Sequence, residues 1–578
     1  MPHRLLLGHV RPYARRYFLG FLCLVLASLF SLAIPWTVKR AIEALEAGSS
    51  AAELRNFVVL ILALAVAHGL VKLGSRLTIL GGSQSVERDL RDTLYRHLQK
   101  LPAAFYQTRR TGDLMSRASN DMSAVRHLVG YGTVSLMGTM LAFVGTFVAM
   151  LAIDPWLTLY AMAPFPLLIL VAKRFNSTVH QQSQAVQEQL GVLSAKVHEN
   201  LAGMNVVRAY TMETGEIRQF QQLNAEYLER SLRLTRTQAA FSPLMGLIAG
   251  VGTLTVLWLG GKAVVDGRIT LGAFVALNAY LAHLAWPTIA LGWTLSIVRR
   301  GLSAMARIAE ILGVEPDIRD APDALDLSPR SAKIEFRNLT FAYDGRRPAL
   351  RNVTLTIPEG ITLAVVGPTG SGKSTLGALI PRLFDPPPGS LLIGGTDVRQ
   401  IRLDQLRRAV GYVPQEPFLF SRSLRENLAL ADDSAHSDRV VQVARAAGLD
   451  DEIEGFPQGW ETVVGERGLT LSGGQRQRAA LARALLSDPP ILILDDAFAN
   501  VDAAKEEEIL SALRHVLRGR TTLIITHRLK AAREADWIVV LDEGRIVEQG
   551  GHDALLGQGH LYARLWRIQQ LEEEISRA

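Results

Sequence analysis

The chain has 578 residues, of which 48% are hydrophobic and 20% charged, and a formal net charge of +7; its pI is near 9.5 and its mean hydropathy +0.17. That composition excludes a disordered or low-complexity polypeptide, and the single cysteine, Cys23, excludes a disulfide scaffold and a zinc cluster. The basic balance does not mark a nucleic-acid binder: residues 1–310 carry 30 Lys and Arg against 17 Asp and Glu, a net of +13, whereas residues 311–578 carry 32 against 38, a net of −6.

Six long apolar stretches occupy residues 17–38, 56–80, 129–153, 155–172, 241–261 and 270–298. Each has about 18 residues or more, enough to cross the roughly 30 Å hydrocarbon core as a helix. The first follows Arg15 and Arg16, as a secretory signal would. It is too long for one, and no small-residue cleavage site follows Pro35 and Trp36, so it reads as a retained membrane helix. Connections alternate between short (39–55, 154, 262–269) and long, polar and helix-forming (81–128, 173–240). The N-terminus carries Arg4, Arg11, Arg15 and Arg16 without an acid. The first long connection carries Arg88, Arg91, Arg96, Lys100, Arg109, Arg110, Arg117 and Arg126. Positive-inside bias therefore places the N-terminus and both long connections in the cytoplasm of a cell (inner) membrane, and the sixth crossing returns the chain there at Arg299 and Arg300. Helices 2 to 5 are expected to run past the membrane as polar extensions that turn near Thr111, Gly112 and Asp113 and near Glu213, Thr214 and Gly215. Pro35, Pro164, Pro166, Pro243 and Pro287 fall in or beside the spans, where each removes a backbone hydrogen bond.

His68, Lys72 and Arg76 recur every four residues in the second span and so share one helix face. Asn278 and His283 add polar groups to the sixth. Charged groups at membrane depth face a cavity or a partner, which makes these five candidates for a substrate cavity. The alternative is that Lys72 and Arg76 only reach out to the cytoplasmic interface.

Residues 311–330 form an Asp-, Pro- and Ala-rich linker, and residues 331–578 have the pattern of a soluble α/β domain. The apolar strand Ile361 to Val366 leads into Gly367, Pro368, Thr369, Gly370, Ser371, Gly372, Lys373, Ser374 and Thr375, after which Leu376 opens a helix. This is a phosphate-binding loop in its strand–loop–helix setting. Its glycines turn backbone N–H groups toward phosphate oxygens, and the helix terminus adds partial positive charge. Lys373 reaches the β and γ phosphates and Ser374 ligates Mg²⁺. A second apolar strand, Ile491 to Leu494, ends in Asp495 and Asp496, an acid position suited to the same metal. Between them, Leu471, Ser472, Gly473, Gly474 and Gln475 open a helix that continues from Arg476 to Leu486.

With these residues in this order, nearly the whole chain resembles an ATP-binding cassette exporter half-transporter. The resemblance implies a membrane domain (1–310) of six helices with long cytoplasmic extensions. It is followed by the linker (311–330) and an α/β nucleotide-binding domain with a helical subdomain (331–578). Leu471 to Gln475 match the family signature, which contacts ATP held by the opposite subunit. Tyr343 matches the aromatic that stacks on adenine, Gln415 the Q-loop that senses Mg²⁺, and His527 the switch histidine at the γ-phosphate. Glu466 and Arg467 match the exporter X-loop, and Asp502 the D-loop. Gly112 with Asp113, and Glu213, resemble the two coupling regions of the membrane domain. Implied cofactors are ATP and Mg²⁺, implied substrates are drugs, lipids or peptides, and no nucleic acid is involved.

One departure from the family pattern bears on chemistry. Hydrolytic members carry Glu directly after the metal-binding Asp, and this chain carries Asp496. A general base must lie within hydrogen-bond reach of its water. Aspartate sets the carboxylate roughly 1 Å back, a misplacement that costs about 10²-fold. The following segment also departs, reading Phe498, Ala499, Asn500, Val501 and Asp502. Because nucleotide domains of this family meet head to tail, the expectation is a heterodimer with a paralogous half-transporter. This chain's own site would be degenerate, and its signature would complete a hydrolytic site whose Glu belongs to the partner. The alternatives are a homodimeric exporter with Asp496 as base, and an ATP-binding regulator or channel that does not pump.

Overall fold

The computed structural model describes residues 2–325, 332–343, 347–432, 435–465, 468, 471–499, 501 and 503–577. It divides into two compact units, Met1–Gln99 with Arg110–Val314, and Lys100–Arg109 with Glu315–Ala578.

The first unit contains six helices, each with an apolar stretch long enough to cross a membrane: α1 (Pro2–Glu46), α2 (Ala51–Leu98), α3 (Thr111–Leu151), α4 (Pro155–Ala202), α5 (Glu213–Val265) and α6 (Leu271–Leu312). The polar extensions of helices 2 to 5 are therefore present, but the reversals are displaced from their expected positions. They lie at 99–110 and 203–212, where the short helices Ala103–Thr108 and Met204–Ala209 sit. Thr111 and Glu213 instead open α3 and α5, with Asp113, Glu213 and Glu216 in the first turns. Acids are stabilising there because they face the positive end of the helix dipole. Pro35, Pro243 and Pro287 lie inside α1, α5 and α6. Near Pro164 and Pro166, α4 is interrupted between Met162 and Phe165.

Where α3 and α6 pass beyond their apolar stretches, charge holds them together. Arg117 donates to Asp113 at 2.9 Å, to Glu310 at 2.9 Å and to the Arg307 carbonyl at 3.0 Å. Arg307 donates to the buried Asp121 at 2.5 and 2.8 Å. Five charged side chains thus interlock across two helices, with the buried acid matched by a two-point guanidinium fork.

The second unit is built on two sheets. One is antiparallel, in the order β2 (Leu350–Ile357), β1 (Ile334–Phe341), β4 (Leu391–Ile393), β5 (Thr396–Asp397). The other runs β10 (Arg545–Gly550), β9 (Trp537–Asp542), β3 (Thr362–Val366), β8 (Thr521–Ile525), β7 (Ile491–Asp495), β6 (Val410–Val413), and all its pairings are parallel except β9 with β10. Its central strands β3, β7 and β8 are almost wholly buried, which is why they read as unbroken apolar runs. Helix α7 (Lys373–Leu379) packs on this sheet through Gly377, where a Cβ would come within 2.6 Å of Ile525 and 3.3 Å of Ile493. A helical subdomain follows β6; Leu424, Leu428, Val440, Val443 and Ile453 pack there against α8 (Gly473–Leu486), in a core continuous with Leu492, Leu494 and Ile524 of the sheet.

The stretch expected as a linker is partly attached to this second unit. Leu325 bridges to Ile401, and the Asp320 carboxylate accepts from the Leu403 amide at 2.8 Å.

Candidate functional site

In the second unit the C-terminal ends of β3, β7 and β8 stand abreast, with Val365 paired to Ile525 and Ile525 to Asp495. The loops that leave these strands enclose a cavity of about 360 Å³. Tyr343, Thr369, Gly370, Gly372, Lys373, Ser374, Thr375, Gln415, Asp495, Asp496 and His527 line it. Gly367, Pro368 and Ser371 belong to the same loop without lining the cavity; the two carbonyls before Thr369 accept from the Lys373 ammonium at 2.8 and 2.7 Å. Gly372 caps α7 at φ +99°, and a Cβ there would lie 2.5 Å from the Ala349 carbonyl oxygen, so only glycine fits.

Two opposite charges are forced to share this buried place. Burial depresses the Lys373 pKa, while the nearby charges of Asp496 and Asp495 oppose that shift. Burial raises the Asp495 pKa, against hydrogen bonds from Ser374 at 2.9 Å and Tyr412 at 3.3 Å. The Ser374 hydroxyl, the Asp495 carboxylate and the Gln415 amide are hard oxygen donors, a set that suits Mg²⁺. Asp496 is held from three sides. His527 Nδ1 lies 2.8 Å from its carboxylate, the Gln415 amide donates to it at 3.5 Å, and its backbone N–H donates to the Ile525 carbonyl at 2.7 Å. The Tyr343 hydroxyl lies 3.1 Å from that of Thr375, and its ring meets Phe341 and Phe384 edge-on.

The signature residues lie outside this cavity. Ser472 caps α8: its hydroxyl accepts from the Gln475 amide at 3.2 Å, and the Gln475 side chain accepts from the Ser472 amide at 2.8 Å. Leu471 and Gly474 are buried, and Gly473 is the first residue of the helix. Glu466, Arg467 and Asp502 lie outside the described residues. Gly112 and Asp113 sit in the first turn of α3, and Glu213 opens α5. Three residues not foreseen from the sequence support the site: Tyr412 on Asp495; Gln477, fully buried, donating to the Asp496 carbonyl at 3.4 Å; and Arg528 beside His527.

In the first unit a cavity of about 780 Å³ is lined by His68, Lys72, Arg76 and His283, together with Trp286 and Trp293. Lys72 and Arg76 thus face a cavity. Asn278 does not line it; its amide donates to the Phe274 carbonyl of its own helix at 3.2 Å. No carboxylate is among the described lining residues.

Comparison with known proteins agrees with this geometry. Residues 17–288 match the model of the ABC transporter transmembrane region, and residues 350–499 match that of the ABC transporter. The chain belongs to the ABC transporter family. It is 35% identical to an ATP-dependent lipid A-core flippase of Syntrophus aciditrophicus (strain SB), over 99% of this chain and 95% of that one. It is 34% identical to the probable multidrug resistance ABC transporter ATP-binding/permease protein YheI of Bacillus subtilis (strain 168), over 97% and 96%. With the multidrug resistance-like ATP-binding protein MdlA of Escherichia coli (strain K12) it shares 33% identity, over 98% and 96%. The structure of a bacterial Atm1-family ABC exporter with ATP bound superposes with a TM-score of 0.79 at 28% identity, covering 96% of this chain and 98% of that one. The chain is therefore an ABC exporter half-transporter, a membrane-embedded, ATP-binding, ATPase-coupled transporter.

The raised Asp495 pKa has a consequence for stability. The folded state holds this proton more tightly than the unfolded chain does, so ionised Asp495 lowers stability fully above its folded pKa, and the penalty fades as pH falls through that value. Asp495→Asn is expected to raise the thermal midpoint of the nucleotide-free protein at pH 7.5, with a gain over the parent that shrinks toward pH 4. Calorimetry across that range checks it; a lower midpoint at pH 7.5 contradicts it.

Proposed function

We propose that this half-transporter is one subunit of a heterodimeric exporter in a cell (inner) membrane, with its N-terminus and nucleotide-binding domain in the cytoplasm. Its own ATP site is degenerate, and its signature residues Leu471 to Gln475 complete the partner's hydrolytic site. The observation that carries this reading is Asp496. It is an aspartate where hydrolytic members place glutamate, and its short carboxylate is already engaged by His527 at 2.8 Å. A base one methylene short and turned to a histidine activates water poorly. Binding functions remain: Lys373 and the loop amides for phosphates, Tyr343 for adenine, and Ser374, Gln415 and Asp495 for Mg²⁺. When bound, that ion neutralises phosphate charge. Export then follows alternating access, in which two ATP molecules close the nucleotide-domain dimer and hydrolysis at the partner's site resets it.

Purification through a tag on this chain is expected to bring a second half-transporter carrying the Glu. The pair hydrolyses ATP, and this chain alone does not. Asp496→Asn should leave the pair's kcat within about twofold, whereas Ser472→Ala should remove most of it. A tenfold or larger loss from Asp496→Asn, or robust turnover by this chain alone, contradicts the degenerate-site reading and favours a homodimer with Asp496 as base.

The membrane cavity refines the substrate to an amphipathic molecule with an acidic group. His68, Lys72, Arg76 and His283 supply donors and positive charge, Trp286 and Trp293 supply apolar surface, and no acid among the described lining residues opposes an anion. Lys72→Glu is expected to cut vesicle transport of an acidic fluorescent amphiphile at least tenfold and to spare its neutral ester. Equal effects on both remove the acidic-group reading.

A further inference from the structure

Tyr412 is a half-buried residue of β6, a strand whose Val410 and Val413 are buried. A phenol hydroxyl in such apolar surroundings needs a polar partner. β6 runs parallel to β7, with Tyr412 opposite Ile493. Residues two apart on a strand share a face, so Asp495 stands on the face that carries Ile493 and Tyr412. The phenol spans that two-residue offset, and its hydroxyl donates to Asp495 Oδ2 at 3.3 Å. Its ring lies against α7, where a Cβ on Gly377 would stand 3.9 Å from it. Strand register and helix packing together seat this hydroxyl.

The two oxygens of the buried Asp495 carboxylate are divided between two donors. Oδ1 accepts from the Ser374 hydroxyl at 2.9 Å and Oδ2 from Tyr412. Among the described residues these are its two hydrogen-bond donors. They are not equivalent. Ser374 belongs to the phosphate loop, and its oxygen is itself a donor to Mg²⁺. Tyr412 belongs to the sheet and is no metal donor. It keeps Oδ2 engaged and leaves Oδ1, the oxygen beside Ser374, for the ion. Groups that hydrogen-bond a metal's ligands fix the orientation of those ligands, and losing one costs about 10- to 100-fold in metal affinity. A bond of 3.3 Å is longer than the usual charge-assisted one, so the lower end of that range is expected here.

We propose that Tyr412 is a positioning residue for Mg²⁺ at this chain's ATP site, where its hydroxyl fixes the Asp495 carboxylate in the orientation that meets the ion. The inference rests on the reading of Ser374, Gln415 and Asp495 as the Mg²⁺ donors.

The test uses the transporter purified through a tag on this chain, with whatever chain accompanies it, after EDTA has removed divalent ions. A fixed low concentration of 8-azido-[α-³²P]ATP is added on ice, MgCl₂ is varied, and the label that Mg²⁺ adds to this chain is counted after irradiation. Tyr412→Phe keeps the ring and removes only the hydroxyl. It is expected to raise the Mg²⁺ concentration for half-maximal labelling at least fivefold, with the plateau and the nucleotide dependence at saturating Mg²⁺ within twofold of the parent. Asp495→Asn is expected to raise that concentration further or to abolish the Mg²⁺-dependent label. A shift in Asp495→Asn with none in Tyr412→Phe overturns the proposal. So does a Tyr412→Phe plateau that falls while the half-maximal Mg²⁺ stays put, because that pattern marks general damage to the nucleotide site. No shift in Asp495→Asn overturns the donor reading on which the proposal rests.

Discussion

The site depends on one constraint, the parallel pairing of β3, β8 and β7. Parallel strands present all their C-terminal ends on one side, and a ligand in an open α/β sheet binds there. With Val365, Ile525 and Asp495 in adjacent register, the loop 367–375, His527 and the acid pair Asp495 and Asp496 leave the sheet side by side. The residues come from positions 343 to 527, so no local feature of the chain would unite them. The sheet also explains the electrostatics. Its apolar strands wall the site off from water, which depresses the Lys373 pKa and raises that of Asp495. Each charge is held at some cost without phosphate and metal, and binding both would offset it.

The membrane unit meets a different demand. Its helices are apolar where lipid would surround them and charged beyond, and the Arg117, Arg307, Asp121 and Glu310 lattice ties α3 to α6 in that charged zone. The basic excess of the chain lies in residues 1–310, where Lys72 and Arg76 line the cavity. The acidic half of the chain is the nucleotide-binding unit.

Much of this was legible in the sequence because the informative residues form contiguous motifs whose spacing follows from backbone geometry. Gly367 to Thr375, Leu471 to Gln475 and the run ending in Asp496 are such cases. The errors arose where position depends on tertiary context. Gly112 and Gly215 suggested turns, yet each lies in the first turn of a helix whose reversal is completed upstream by a short helix. Asn278 looked equivalent to His283, but five residues place them about 140° apart on an α-helix. His283 shares its face instead with Trp286, Pro287, Ala290 and Trp293. Tyr412 reaches Asp495 only because β6 lies beside β7, with Tyr412 paired to Ile493. No sequence interval announces that. Arg528 was nearer at hand, since it adjoins His527, but its acceptors are backbone carbonyls, which carry no sequence signature.

A single methylene separates the aspartate at position 496 from the glutamate of a hydrolytic site, and the account turns on what that costs. The fate of the γ-phosphate at this chain's own site measures it most directly. The intact transporter purified through a tag on this chain is loaded with 8-azido-[γ-³²P]ATP, chased for several turnovers and irradiated, and the label on this chain is then counted. Radioactivity that persists on this chain after the bulk ATPase has turned over many times is the expected result. Loss of the γ-label from this chain at the bulk turnover rate would show that Asp496 serves as a working base and would contradict the account.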